Sequence, residues 1–149
     1  NMQTAATPQA LADPPLPQRL KLSAAWVSLT FCYLYGDYFG LYKPGKLQHI
    51  LDGAGPMGAI SQGSLLFVAS LLIVPGLMVF ISFVLQARLV RWLHIGLALF
   101  YATFVAFTMP GAWWFYLAYS TVEIMLCAAI VRLAWAWPRA SARTTMKLA

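Results

Sequence analysis

The sequence predicts an all-α, polytopic membrane protein built as a bundle of four transmembrane helices. Three observations carry that prediction. The 149 residues are 61% hydrophobic and only 9% charged, whereas a soluble domain runs near a quarter charged. Four apolar segments follow one another, over roughly 22–42, 61–86, 89–109 and 113–137. At ~1.5 Å per residue, each is long enough to cross a ~30 Å hydrocarbon core.

Ahead of the first segment, "NMQTAATPQALADPPLPQ" holds four prolines and no apolar periodicity. Residues 1–20 therefore read as a polar, Pro-rich tail. No basic stretch followed by an apolar one is present there, so no signal peptide is expected. Residues 21–137 are expected to form the transmembrane domain, and 138–149 a basic tail.

The first segment ends in "CYLYGDYFGLYKPG" (32–45), where Asp37 sits among tyrosines. In the connection that follows, "KLQHILDGA" (46–54) can form two turns of helix with Leu47, Ile50 and Leu51 on one face, lying on the membrane surface. The second segment contains Pro75-Gly76, which inside a membrane bundle kinks a helix rather than ending it. Segments two and three are joined by a tight turn near Ala87–Arg88, and segments three and four by "PGA". Short joins predict antiparallel neighbours.

Net charge is +6, but the basic residues form no stripe, so nucleic acid is excluded as a partner. They sit in the connections instead. Arg19, Lys21, Arg88, Arg91, Arg132, Arg139, Arg143 and Lys147 fall on one face, and only Lys43 and Lys46 on the other. The face rich in Lys and Arg is the cytoplasmic one. Both termini are thus expected in the cytoplasm, and the protein in a bacterial inner membrane. Tyr38, Tyr42, Trp113 and Trp114 mark the outer interface, and Trp135 and Trp137 the inner one.

The polar residues within the spans are the candidate site. Counted from the cytoplasmic ends, Asp37 lies about 22 Å up and Glu123 and Tyr101 about 18 Å up. Tyr33 precedes Asp37 by four residues and Tyr119 precedes Glu123 by four, so each pair shares a helix face. If the two faces meet, each carboxyl can take a phenol hydrogen bond from the other helix. Tyr33, Asp37, Tyr101, Tyr119 and Glu123 are the expected buried polar layer, with Ser70 near it. Without a cation at that depth, a neutral acid costs less to bury than an ion. Such residues face the bundle interior, as helix glue or as a working site.

No catalytic residue is assigned, and no metal site is expected. The two cysteines, Cys32 and Cys127, form no CxxC and are read as buried free thiols. His94, three residues after Arg91, is read as an interface residue rather than a metal or haem ligand. Arg132 is read as a residue that reaches back to the interface.

The run "LSAAWVSLTFCYLYGDYFGLYKPG", with "VEI" in the last segment, resembles a family of small bacterial four-helix membrane proteins of unknown function, distantly similar to the DoxX-like group. Leu22, Ser23, Trp26, Tyr33, Tyr35, Asp37, Gly40, Leu41, Pro44, Gly45 and Glu123 carry the resemblance, which covers roughly 21–137. Some DoxX-like relatives are tied to quinone-linked sulfur oxidation, although this chain shows no cofactor motif of its own.

The expected function is that of a non-catalytic accessory subunit of a larger bacterial membrane complex, respiratory or photosynthetic in type, whose other membrane subunits hold the two tails. Two alternatives stand beside it: a DoxX-like quinone-linked redox protein, and a small proton-coupled transporter using Glu123 and Asp37. No resident cofactor is expected, although contact with lipid, quinone or pigment is compatible with each reading.

Overall fold

The computed structural model describes residues 14–55 and 58–138. Helix α1 spans Gln18–Gly40, α2 Lys46–Leu51, α3 Gln62–Val84, α4 Ala87–Thr108 and α5 Trp114–Trp135. Two short strands, β1 (Ala54–Gly55) and β2 (Gly58–Ala59), pair antiparallel between α2 and α3. Helices α3, α4 and α5 are each long and apolar enough to cross a membrane. Helix α1 is as long, 23 residues against 22 or 23, but its basic first turn, its serines and tyrosines and Asp37 leave it short of that apolarity.

The first helix starts earlier than its apolar run. Pro17 is its N-cap, a place where a fixed φ and a missing N–H cost nothing. Gln18–Lys21, expected in or beside the polar tail, form its first turn instead. The rest of the Pro-rich tail to residue 13, and the basic tail from 139, lie outside the described residues, as does any partner contact with them.

Each long helix buries one stripe. On α1 it is Leu22, Trp26, Leu29 and Gly36; on α3 Pro75, Met78 and Ser82; on α4 Val90, His94, Ala98, Tyr101 and Val105; on α5 Ser120, Glu123, Cys127, Ile130 and Ala134. Most steps are of three or four residues, the seam of helices that pack nearly antiparallel with interlocking side chains. The outer faces carry the rest of the apolar residues, among them Leu66, Phe80, Phe107 and Trp114, all well exposed. A stripe of core with an apolar exterior is the pattern of a bundle whose surroundings are lipid.

The packing order corrects one expectation. Helix α1 lies against both α3 and α5, and α5 against α4, while α3 and α4 touch only sparsely despite the short turn between them. The reason is side-chain size. Trp26 reaches from α1 to stand edge-on to Tyr101 of α4, with ring centroids 6.2 Å apart. Tyr101 and His94 then span the gap to α3.

One end of the bundle is tied by cations. Arg19 Nη1 donates to the carbonyls of Ser82 (2.7 Å) and Leu85 (2.9 Å) at the end of α3. Arg91 Nε donates to Ala134 O (3.1 Å) at the end of α5, and Gln18 Nε2 to Leu133 O. The last carbonyls of a helix have no partner within it and carry the negative end of its dipole. Arg19 stacks over Trp137 at 5.6 Å, and Arg91 lies 5.7 Å from both Trp92 and Trp135. The start of α1 and the ends of α3 and α5 therefore share one end of the bundle, with the start of α4.

The opposite end carries α2. Its expected turns form, with Leu47 and Leu51 facing outward, 58% and 79% exposed. The hairpin after it was not anticipated. It depends on Gly53 and Gly58, whose φ of 79° and 98° are open to glycine at little cost.

Candidate functional site

Glu123 is the buried carboxyl of the bundle, 5% exposed in the middle of the α5 stripe. Gly36 of α1 faces it. A Cβ at Gly36 would stand 3.8 Å from Tyr119 Cγ and 4.0 Å from Glu123 Oε1, ordinary contact, so a side chain longer than alanine's would push α1 and α5 apart at this level. Cys32, Tyr33 and Asp37 of α1 and Cys127 of α5 all lie within electrostatic reach of Glu123.

The five residues of the expected polar layer are placed as follows. Glu123 and Tyr101 are buried, Tyr33 and Tyr119 are half-buried, and Asp37 is exposed. Asp37 therefore departs from the inward position expected of it. The α1 stripe runs through Gly36, and one residue further on the helix turns about 100° out of the seam. Lys46 of α2 is the cation that acts on Asp37.

The expected phenol-to-carboxyl hydrogen bonds are not formed. The Tyr33 hydroxyl is buried with no partner among the described residues, and so is the Ser120 hydroxyl, one turn from Glu123 on the same helix. The Tyr33 ring instead packs against Tyr101, centroids 5.8 Å apart. Tyr119 stacks on Phe39 at 6.5 Å. Ser70 is exposed and bonds its own helix at Leu66 O. Buried polar groups normally find partners, so two hydroxyls left open in the region of a buried carboxyl mark a place with unused hydrogen-bonding capacity.

Tyr101 has a different task from the one expected. Its hydroxyl donates to Leu71 O at 2.8 Å. Leu71 is four residues before Pro75, and proline has no N–H to give that carbonyl. Tyr101 fills the vacancy from the neighbouring helix, which is how proline is tolerated within membrane helices. The signal for this was in the sequence: a proline in a span identifies the orphaned carbonyl four residues earlier, although not which helix supplies the donor.

His94 is also corrected. Expected at the interface, it is fully buried. Trp26 Nε1 donates to its Nδ1 at 2.8 Å, and its Nε2 stands 3.5 Å from Ser82 Oγ. An indole N–H can only donate, so Nδ1 accepts and the ring is the neutral Nε2–H tautomer. Among the described residues, no group of three or more His, Cys, Asp and Glu side chains comes together as a metal site would. Both cysteines are free.

Hollows open on the surface of the described residues. One, of about 500 Å³, runs between α4 and α5 and is lined by small and apolar residues including Ala98, Ala102, Ala128 and Val131. Another, of about 400 Å³, lies where α1 ends and α5 begins.

No curated protein and no solved structure matches the chain. The model of one family does match, and its description shows no link to the DoxX-like group. Its span runs from the N-cap of α1 past the end of α5 and includes every residue of the Glu123 region. Over residues 17–144, the chain belongs to a family of unknown function, DUF6326.

Proposed function

We propose that the chain is a four-span protein of the bacterial cytoplasmic membrane with both ends in the cytoplasm, and that Glu123 is a proton-binding group serving proton-coupled transport. One observation carries this reading. Among the described residues, Glu123 is buried with no cation beside it, in the region of Tyr33 and Ser120 hydroxyls that have no partner. A carboxyl that only glued helices would hold those hydroxyls. Ionisable groups inside a bundle are costly and mark proton and ion paths. The basic residues at the Arg19–Arg91 end support the orientation.

Infrared titration of the protein in lipid tests the reading. A protonated-carboxyl band that responds to pH and is lost in Glu123→Gln, with the bundle still folded, supports it. A spectrum in which Glu123→Gln removes no titrating band refutes it.

The hollow between α4 and α5 favours a second reading, that of a non-catalytic subunit in a larger membrane complex. Ala102 of α4 and Ala128 of α5 line the hollow and are not fully buried, and small residues let a neighbouring helix approach closely. Under this reading Ala102→Trp releases a partner subunit that co-purifies with the wild type from native membranes. Recovery of the wild type without any stoichiometric partner counts against it.

A further inference from the structure

The 400 Å³ hollow stands one layer outside Glu123, and the proton-binding reading leaves it unused. It is lined by Phe39, Tyr42, Lys43, Trp113, Phe115 and Tyr119. All but Lys43 are aromatic. Lys43 brings its own cation to these rings: Nζ is 5.8 Å from the Trp113 centroid, 5.6 Å from Phe115 and 5.8 Å from the adjoining Tyr116. Ring faces are electron-rich and attract an ammonium within about 6 Å. The cluster is therefore a cage shaped for a cation, held at present by a flexible side chain of the same protein.

Tyr119 links this cage to the carboxyl. It lines the hollow, its ring stacks on Phe39, and both Tyr119 and Glu123 Oε1 border the Cβ position of Gly36. Glu123 is one turn further along α5, ~6 Å. A molecule in the cage thus has aromatic faces around it and a carboxyl one helical turn away.

We propose that the cage and Glu123 together bind a lipophilic organic cation, which displaces the Lys43 ammonium from the rings and takes Glu123 as its counter-ion. An anion is disfavoured by the ring faces and by the carboxyls of Glu123 and Asp37. The inference rests on the reading of Glu123 as a proton-binding group, because cation and proton then compete for one carboxylate. The titratable groups facing Glu123 are Cys32, Tyr33 and Asp37 from α1 and Tyr119 and Cys127 from its own helix, with Tyr101 of α4 against Tyr33. Lys46 of α2 acts on Asp37.

The test is calorimetric titration of the full chain in detergent with tetraphenylphosphonium, beside the neutral triphenylphosphine oxide. The cation is expected to bind saturably, more weakly at lower pH, and not at all to Glu123→Gln. Trp113→Ala should weaken binding about tenfold, and Lys43→Gln should strengthen it by removing the internal competitor. Absence of binding overturns the inference. So does equal binding of the neutral compound, equal binding to Glu123→Gln, or weaker binding to Lys43→Gln. The infrared titration separates the two failures: a Glu123 band without cation binding removes this inference alone, and no band removes both.

Discussion

Tyr101 shows how one hydroxyl can decide whether a helix tolerates its proline. Pro75 leaves Leu71 O without its usual donor, and the 2.8 Å bond from Tyr101 replaces it. Tyr101→Phe should therefore cost about 1 kcal/mol in lipid, the scale of interhelical bonds in membranes. In a Pro75→Ala background the backbone N–H returns, and the same substitution should cost little. Unfolding of the four proteins completes the double-mutant cycle; additive effects would remove this account of Tyr101. His94 makes a parallel case. Nitrogen chemical shifts should report the neutral Nε2–H ring, and Trp26→Phe should shift the Nδ1 signal by taking away its donor. A doubly protonated ring in the wild type would contradict the geometry.

At the scale of elements, the α1–α5 contact leaves room at Gly36 for little more than a methyl group. The Cβ of an alanine at Gly36 would meet its neighbours at 3.8–4.0 Å, ordinary contact. Gly36→Ala should be neutral or slightly stabilising, since glycine within a helix is worse than alanine by roughly 0.5–1 kcal/mol. Gly36→Leu should loosen the pair and expose Glu123, read as faster hydrogen exchange along α1 and α5. Unchanged exchange in Gly36→Leu would mean that the helices do not meet there. The arginines act on helix ends in the same way. Arg19→Met leaves the Ser82 and Leu85 carbonyls without that donor, so the last turn of α3 should exchange first, ahead of its middle.

At the scale of the whole molecule, the arginine ties gather one end of the bundle and α2 with its hairpin covers the other. The proposed topology puts the arginine end in the cytoplasm. In a background with Cys32 and Cys127 replaced, a thiol at Gly45 should react with an impermeant reagent on intact cells, and one at Gln86 only after lysis. The opposite pattern inverts the orientation, and equal reaction at both sites removes the odd number of crossings between them.

Much of this molecule is written in composition and period. Apolar runs of about 20 residues specify membrane-length helices because the backbone must satisfy its own hydrogen bonds in lipid. The runs at 61–86, 89–109 and 113–137 correspond to α3, α4 and α5 within a few residues. The turns of α2, Lys46–Leu51, lie within the stretch 46–54, where the spacing of Leu47, Ile50 and Leu51 allowed a helix and an irregular loop was the alternative. The first run was less clear, because its start is fixed by Pro17 and by side chains that reach the ends of other helices. Depth along each helix was also legible, being counted at a constant rise, and it brought the Tyr33, Tyr101 and Glu123 levels together. Direction around the helix was not. One residue separates Gly36 in the seam from Asp37 outside it, and only the packing of α1 between α3 and α5 decides which faces in. Partners were likewise settled in three dimensions. Tyr101 serves the carbonyl before a proline on α3, His94 serves an indole on α1, and Lys43 sits among rings from the start of α5. Each pairing joins residues remote in the chain, and no periodicity in one segment carries the position of another.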